Sequence, residues 1–574
     1  MTRDDDFRVR PGRIRSTPQP RAKSFLNQAL RAAQKAGGFK RTGSSGRSNF
    51  GRGRPSCLGA SRALVSRSRR VTIPARVVRH HGGAGALRAH LGYLQRDGVT
   101  RDGQRGQLFD ATREGVGASA FIERCEDDRH HFRFIVSPED GTELASLRDF
   151  TRDLMAQAGR DLGTELDWVA VEHWNTEHPH VHVLVRGQTD TGQDLVISRD
   201  YISRGLADRA SALATEELGP RTDLEIRRDL ARQIEAECWT RLDRALAREA
   251  AARDGVVDLR RDPSGVADEH RTEKLARLRK LERLGLAEGD GAGRFVLAAD
   301  AEARLRALGE RGDIIVRLHR AMTRGGRDAD ASAFVLEGES GDLVLGRLAA
   351  RGLDDELKGS AYVVVEGVDG RTHHLRLPDL EAAGDGRVGS VVELRRYEDA
   401  RGRERVALAV RSDLTIEAQV TASGATWLDR QATSREPAAL GSGGFGAEVR
   451  EALERRAEHL TGEGLARRQG QRVVFARDLL DTLRRRELDG VAARLAGETG
   501  LAHRATTTGE HVGGVYRQRL QLASGRFAMI DDGLGFSLVP WSPSLEKRLG
   551  QQVGGVATPS GVDWDFGRKR GLSL

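Results

Sequence analysis

A chain of 574 residues is too long for one hydrophobic core, so three or four domains are expected. Hydrophobic residues make up 38% and charged residues 31%. No apolar run reaches the ~18 residues of a membrane helix, which argues against membrane insertion. The opening "MTRDDDFRVRPGRIR" has no apolar segment and reads as no secretory signal. Cys57, Cys125 and Cys238 lie far apart; they suggest neither a disulfide framework nor a thiolate zinc site, and fit a reducing cytoplasm.

Residues 1–70 carry 18 Lys/Arg against 3 Asp/Glu, whereas the rest of the chain carries 75 against 81. The basic pI of 9.8 therefore comes from this one segment. Its Gly, Ser and Pro content ("RTGSSGRSNFGRGRPS") predicts a disordered basic arm that binds nucleic acid by counterion release.

After the arm, "VTIPARVVR" reads as a strand and "GALRAHLGYLQRDG" as a helix with Leu87, Leu91 and Leu94 on its buried face. "HHFRFIVS" is a strand and residues 143–163 an amphipathic helix. "LDWVAVEHW" and "VHVLVRG" are two strands joined by a short turn, and a Ser-capped helix ends at Gly219. This order predicts an α+β domain over 71–222, an antiparallel sheet with packed helices. Residues 223–329 read as helical and winged-helix-like, with a hairpin around "GDGAGR" as the wing. Six short strands over 330–420 predict a small β-barrel. Residues 421–446 read as a linker, and 447–574 as a C-terminal α+β region of helices and a hairpin. No fixed-period repeat is visible.

The chemistry concentrates in "HWNTEHPHVHVLVRG", which starts at His173. A strand's period of two points His180 and His182 to one face and Val181 and Val183 to the other. A hairpin turn brings His173 back beside them, so three imidazoles can converge on one cation. Such a site is neutral apart from the ion, which suits a Lewis acid acting on an anionic phosphodiester. The nucleophile is then either metal-bound water or a tyrosine. The chain has five tyrosines, at 93, 201, 362, 397 and 516. Tyr93 stands out, lying off the leucine face of its helix with His90 three residues before it.

With His180-Val181-His182, His173 upstream and Tyr93 near the domain's start, the chain resembles an HUH endonuclease. "HLGYLQRDGVTRDG", "HHFRFIVSPED" and "EHWNTEHPHVHVLVRG" resemble more narrowly the relaxases, or mobilisation nucleases, of conjugative plasmids. Within these, the VirD-type group with a long C-terminal extension is most similar, and "GRFAMIDDGLGFSLVPW" resembles the end of that extension. The resemblance is specific over residues 71–220 and looser elsewhere.

The resemblance implies an HUH nuclease fold over 71–222. It implies that Tyr93 attacks one phosphodiester of single-stranded origin-of-transfer DNA, leaving a 5′-phosphotyrosyl enzyme and a free 3′-hydroxyl. It also implies Mg²⁺ or Mn²⁺ on His173, His180 and His182. The partners implied are accessory nicking proteins and a type IV secretion coupling protein. The location implied is the bacterial cytoplasm, with transfer alongside DNA into a recipient. Relaxases commonly carry Asp two residues after the first motif histidine, where this chain has Asn175. Help in ionising the tyrosine then falls to the metal, His178, Glu172 or Glu177. Arg79, Arg96 and Arg186 flank the site and are candidates for phosphate contacts, while His130 and His131 read as strand residues. A rolling-circle replication initiator would use Tyr201 instead. A non-catalytic DNA-binding protein would rely on the arm and the winged helix.

Overall fold

The computed structural model describes residues 67–566 apart from 81–84, 97, 175–177, 261–269, 292, 328–329, 337–339, 381, 400–401, 471 and 560. The basic arm expected over 1–70 lies outside these residues except at its end. That end is folded: Arg69 is buried against Asp140 and Glu225, and Arg70 pairs with Asp229. The chain forms two compact units, residues 1–236 with 240–297, and residues 237–239 with 298–574. No helix among the described residues is long and apolar enough to cross a membrane.

The first unit begins with β1 (Val71–Thr72), β2 (Ala75–Arg79), α1 (Gly85–Leu94), α2 (Ala118–Arg124), β3 (His130–Pro138) and α3 (Leu147–Leu162). β4 (Trp168–His173), β5 (His180–Arg186) and α4 (Leu206–Leu218) follow, α4 being preceded by a π-helical turn at Tyr201–Gly205. β3 takes β1 and β2 on one side and β5 on the other, and β4 closes the far edge, all antiparallel. The antiparallel α+β expectation for 71–222 is met. Alternation builds two cores. Val181, Val183 and Val185 face Phe132, Phe134 and Trp168 under α3 and α4. Val169, Val171 and Leu184 face Leu87, Leu91 and Leu94 of α1 and Phe121 of α2. The Ser146 hydroxyl caps α3 by accepting from the Asp149 amide at 3.1 Å, and Gly163, at φ 74°, ends it.

Next come α5 (Asp223–Glu235), α6 (Arg241–Ala251), β6 (Val256–Asp258), α7 (Arg271–Arg283), β7 (Ala287–Gly289) and β8 (Arg294–Leu297). Three helices are thus followed by a hairpin, with β6 on the other side of β8. The second unit adds α8 (Ala301–Arg324), β9 (Phe334–Val335), β10 (Leu343–Asp355), β11 (Ser360–Gly367), β12 (Thr372–Leu377), β13 (Val391–Glu398) and β14 (Glu404–Ser412). The small barrel expected over 330–420 is instead an open sheet, ordered β14-β13-β10-β11-β12-β9. Closure would need β9 to pair with β14, but β9 has two residues and lies parallel to β12.

The chain continues through α9 (Ile416–Val420), α10 (Trp427–Thr433), α11 (Gly444–Gly462), β15 (Ala466–Gln469), β16 (Arg472–Phe475) and α12 (Leu479–Thr499). The last strands are β17 (Ala502–His503), β18 (His511–Leu522), β19 (Gly525–Asp531), β20 (Gly535–Pro540), β21 (Gln552–Thr558) and β22 (Gly561–Asp565). Residues 421–446 are no linker. Thr426 caps α10, and Trp427 and Leu428 bury into a core with Val368, Val391 and Phe445. Their apolar area outweighs the Gly and Ser content that suggested flexibility.

The same arrangement occurs twice. The final sheet is ordered β22-β21-β18-β19-β20-β17, which matches the β9–β14 sheet strand for strand, down to a two-residue first strand parallel to the fourth. The bent long strand is tied identically in both. Leu348 N–H donates to Ser390 O and Gly389 N–H to Leu348 O, as Tyr516 N–H donates to Gln551 O and Gly550 N–H to Tyr516 O. The helices that precede each sheet also correspond. Arg277 donates to both carboxylate oxygens of Asp243 and to the carbonyls of Ile234 and Ala236. Arg456 does the same to Asp429, Val420 and Ala422. Each aspartate closes a capping box, with Thr240 or Thr426, and a glutamine (Gln233 or Gln419) accepts from the residue just before it. Residues 223–412 and 416–565 are therefore two versions of one module.

Candidate metal centre

The β4–β5 register sets His173 opposite His180 and Val171 opposite His182. Side chains alternate along each strand, so all three histidines share the α1 and α2 face of the sheet. All are buried, and their ring centroids lie 4.4–5.4 Å apart. Carbonyl partners fix two tautomers. His173 Nε2–H donates to the Leu94 carbonyl at 2.9 Å, so the neutral ring keeps its lone pair on Nδ1. His180 Nδ1–H donates to the His178 carbonyl at 3.0 Å, which leaves the lone pair on Nε2. That atom is 3.2 Å from His182 Nε2. Two nitrogens bound to one metal at about 2.1 Å stand about 3.0–3.4 Å apart. The three rings each present a nitrogen within 4.8 Å of the others. Bonds from the outer N–H to backbone carbonyls are how metal-bound imidazoles are oriented. This donor set fits a divalent ion.

The Leu94 carbonyl belongs to α1, one residue after Tyr93, so the helix that carries the tyrosine is docked onto His173. Tyr93 is half-buried against the α1–α2 core, and the Arg96 guanidinium lies 4.1 Å from its ring centroid. Arg79, expected to flank the site, is exposed at the end of β2 opposite His130, five residues along β3 from the level of His182, and so lies away from the trio. Arg186 is committed elsewhere: it donates to both carboxylate oxygens of the buried Asp128. His178 is exposed and reaches the cluster through its carbonyl. Glu172 pairs with Arg148 of α3, on the opposite face from the histidines. Glu177 and Asn175 lie outside the described residues. Beside Trp174, a cavity of about 300 Å³ is lined by Thr100, Arg101, Ser146, Arg148 and Glu172, with Arg101 over the indole at 5.2 Å.

Tyr201 sits in the other core, beneath α3 and α4. Its hydroxyl donates to Asp161 at 2.9 Å, and burial together with that carboxylate pushes its pKa well above the usual value.

Two features escaped the sequence reading. The Leu94 carbonyl left no signal, because every residue has one. The second is another imidazole cluster. Arg133 Nε–H donates to His131 Nε2 at 3.0 Å, which makes His131 Nδ1 the donor to His80 Nε2 at 2.7 Å. Burial, then Arg133, pushes the His131 pKa down to about 2. The native ring stays neutral while the unfolded one takes a proton below about pH 6.5. Stability is therefore lost as pH falls, by about 1.4 kcal/mol per unit below that value. Urea unfolding at neutral and mildly acidic pH should show this loss in the wild type and a smaller one in His131→Asn. Equal losses would mean that His131 does not set the acid limit.

A family model described as protein of unknown function (DUF3363) matches residues 274–401 and 393–573, more than half of the chain, and the chain belongs to that family. The match starts within α7, beyond the histidine cluster. No curated protein matches the sequence.

Proposed function

We propose that the chain is a metal-dependent DNA nuclease of the relaxase type, cutting one strand at an origin of transfer with Tyr93 as nucleophile. The observation that carries this reading is the buried trio His173, His180 and His182, with carbonyl-fixed tautomers, docked onto the helix of Tyr93. The trio would hold Mg²⁺ or Mn²⁺, which when bound polarises the scissile phosphate and stabilises the charge that develops there. The Tyr93 hydroxyl gives up its proton and its oxygen bonds to phosphorus; the bond to the upstream 3′-oxygen breaks, and that oxygen takes a proton. The ester so formed conserves the bond energy, and the 3′-hydroxyl can reverse the step. Arg96, stacked on the tyrosine, is suited to a flanking phosphate. Trp174 and Arg101 at the neighbouring cavity offer a stacking surface for an unpaired base. The accessory nicking proteins, the secretion coupling protein and a cytoplasmic location rest on the resemblance alone.

Incubation of the full chain with labelled single-stranded origin DNA and Mg²⁺ or Mn²⁺ should give a shortened strand with a free 3′-hydroxyl. The other fragment should migrate with the protein on a denaturing gel. Chelation should stop both. Cleavage without a protein-linked fragment would rule out the tyrosine mechanism, and no cleavage on any origin sequence would leave the non-catalytic DNA-binding reading.

A further inference from the structure

The duplicated module offers an internal control on surface charge. α7 has six basic and two acidic residues, whereas its counterpart α11 has three basic and four acidic. Four of the six basic side chains of α7 are tied into the fold. Arg271 donates to the Leu259 carbonyl, Lys274 pairs with Glu249, Arg277 with Asp243 and Lys280 with Glu235. The other two, Arg279 and Arg283, are exposed one turn apart, whereas Arg294 on the β7–β8 hairpin pairs with Asp290 at 4.0 Å. When Arg277 is matched to Arg456, the positions of Arg279 and Arg283 become Glu458 and Gly462, and Thr272 becomes Glu451. The same fold is thus built with an acidic residue at the first position and no charge at the second, so packing does not require the arginines. Like charges four apart on a helix also repel by a few tenths of a kcal/mol.

We propose that the first module binds duplex DNA through Arg279 and Arg283, and that the second module does not. α7 is the third helix of its bundle and presents an exposed face, as a helix that enters the major groove must. Its 13 residues span about 20 Å, and the B-DNA major groove, about 12 Å wide, admits it. The deep, narrow major groove of duplex RNA does not, which selects DNA. The β7–β8 hairpin follows α7 directly in the chain. In the second module Glu458 of α11 faces Arg468 of its own hairpin at 3.7 Å, so that face is internally neutralised. This inference does not rest on the metal centre.

The test uses the full chain, with a short duplex of arbitrary sequence and a single strand of equal length, titrated at several salt concentrations. R279E/R283E should weaken duplex binding by about tenfold or more and lower the log–log salt slope by about two, with single-strand affinity unchanged. Both side chains are exposed, so the melting temperature should stay the same. R467E/R468E, on the hairpin of the second module, should leave duplex affinity at the wild-type value. An equal loss on duplex and single strand, or an equal loss in both variants, would overturn the assignment, as would an unchanged duplex affinity in R279E/R283E.

Discussion

Replacing His180 with alanine should lower single-strand cleavage by about 10²–10⁴-fold while the domain stays folded. A Lewis acid contributes several kcal/mol, and each 1.4 kcal/mol is about tenfold. The fold survives because the apolar face of β5, Val181, Val183 and Val185, packs into the core on the other side of the sheet. A second readout needs no DNA. Mn²⁺ alone should raise the melting temperature of the wild type, since an ion that binds only the native state stabilises it by mass action. In His180→Ala that rise should shrink or vanish. Wild-type cleavage by His180→Ala in the presence of chelator would show that the imidazoles serve packing alone. Single-stranded DNA binding should persist, because backbone charge dominates that affinity.

Tyr93→Phe should abolish the protein-linked product and cut strand cleavage by about three orders of magnitude or more, as loss of a nucleophile does. The ring, its packing on the α1–α2 core and the Arg96 stack all remain, so the fold should be unchanged. Tyr201→Phe should behave in the opposite way. It removes a hydrogen bond to Asp161 and costs about 1 kcal/mol of stability, with cleavage retained. Loss of the covalent product in Tyr201→Phe but not in Tyr93→Phe would reverse the assignment and favour the replication-initiator reading.

The centre was legible because strand geometry is periodic. His180 and His182 differ by two and so share a face, and the observed register, which sets His173 opposite His180, adds the third; a one-residue slip would have turned His173 to the other face. The valines between them marked the opposite face as core. The arginines were less legible, because a guanidinium carries the same charge whether it meets a phosphate or a carboxylate. Arg186 reads as a phosphate contact only until Asp128, 58 positions away in sequence, is folded beneath it.

By itself the sequence determined most of the strand and helix order of 71–222, the shared face of His180 and His182 and the six-strand pattern of 330–420, but not α2, whose Phe121 completes the second core. These follow from local periodicity and from capping residues. Tertiary structure decided what depends on distant partners. Tyr201 became a core residue because Asp161 and the α3–α4 layer enclose it, and the strands after β9 stayed an open sheet because the first strand is too short to close it. The duplication was hidden for a related reason. Its two copies share a few structural positions, Gln233, Thr240 and Asp243 against Gln419, Thr426 and Asp429, at one constant spacing. Arg277 and Arg456 are seven residues closer, because the intervening loops differ in length. Loops tolerate such changes at little cost, whereas a buried arginine must reach its aspartate and carbonyls in both copies. The repeat is therefore conserved as a hydrogen-bond network and not as a sequence period.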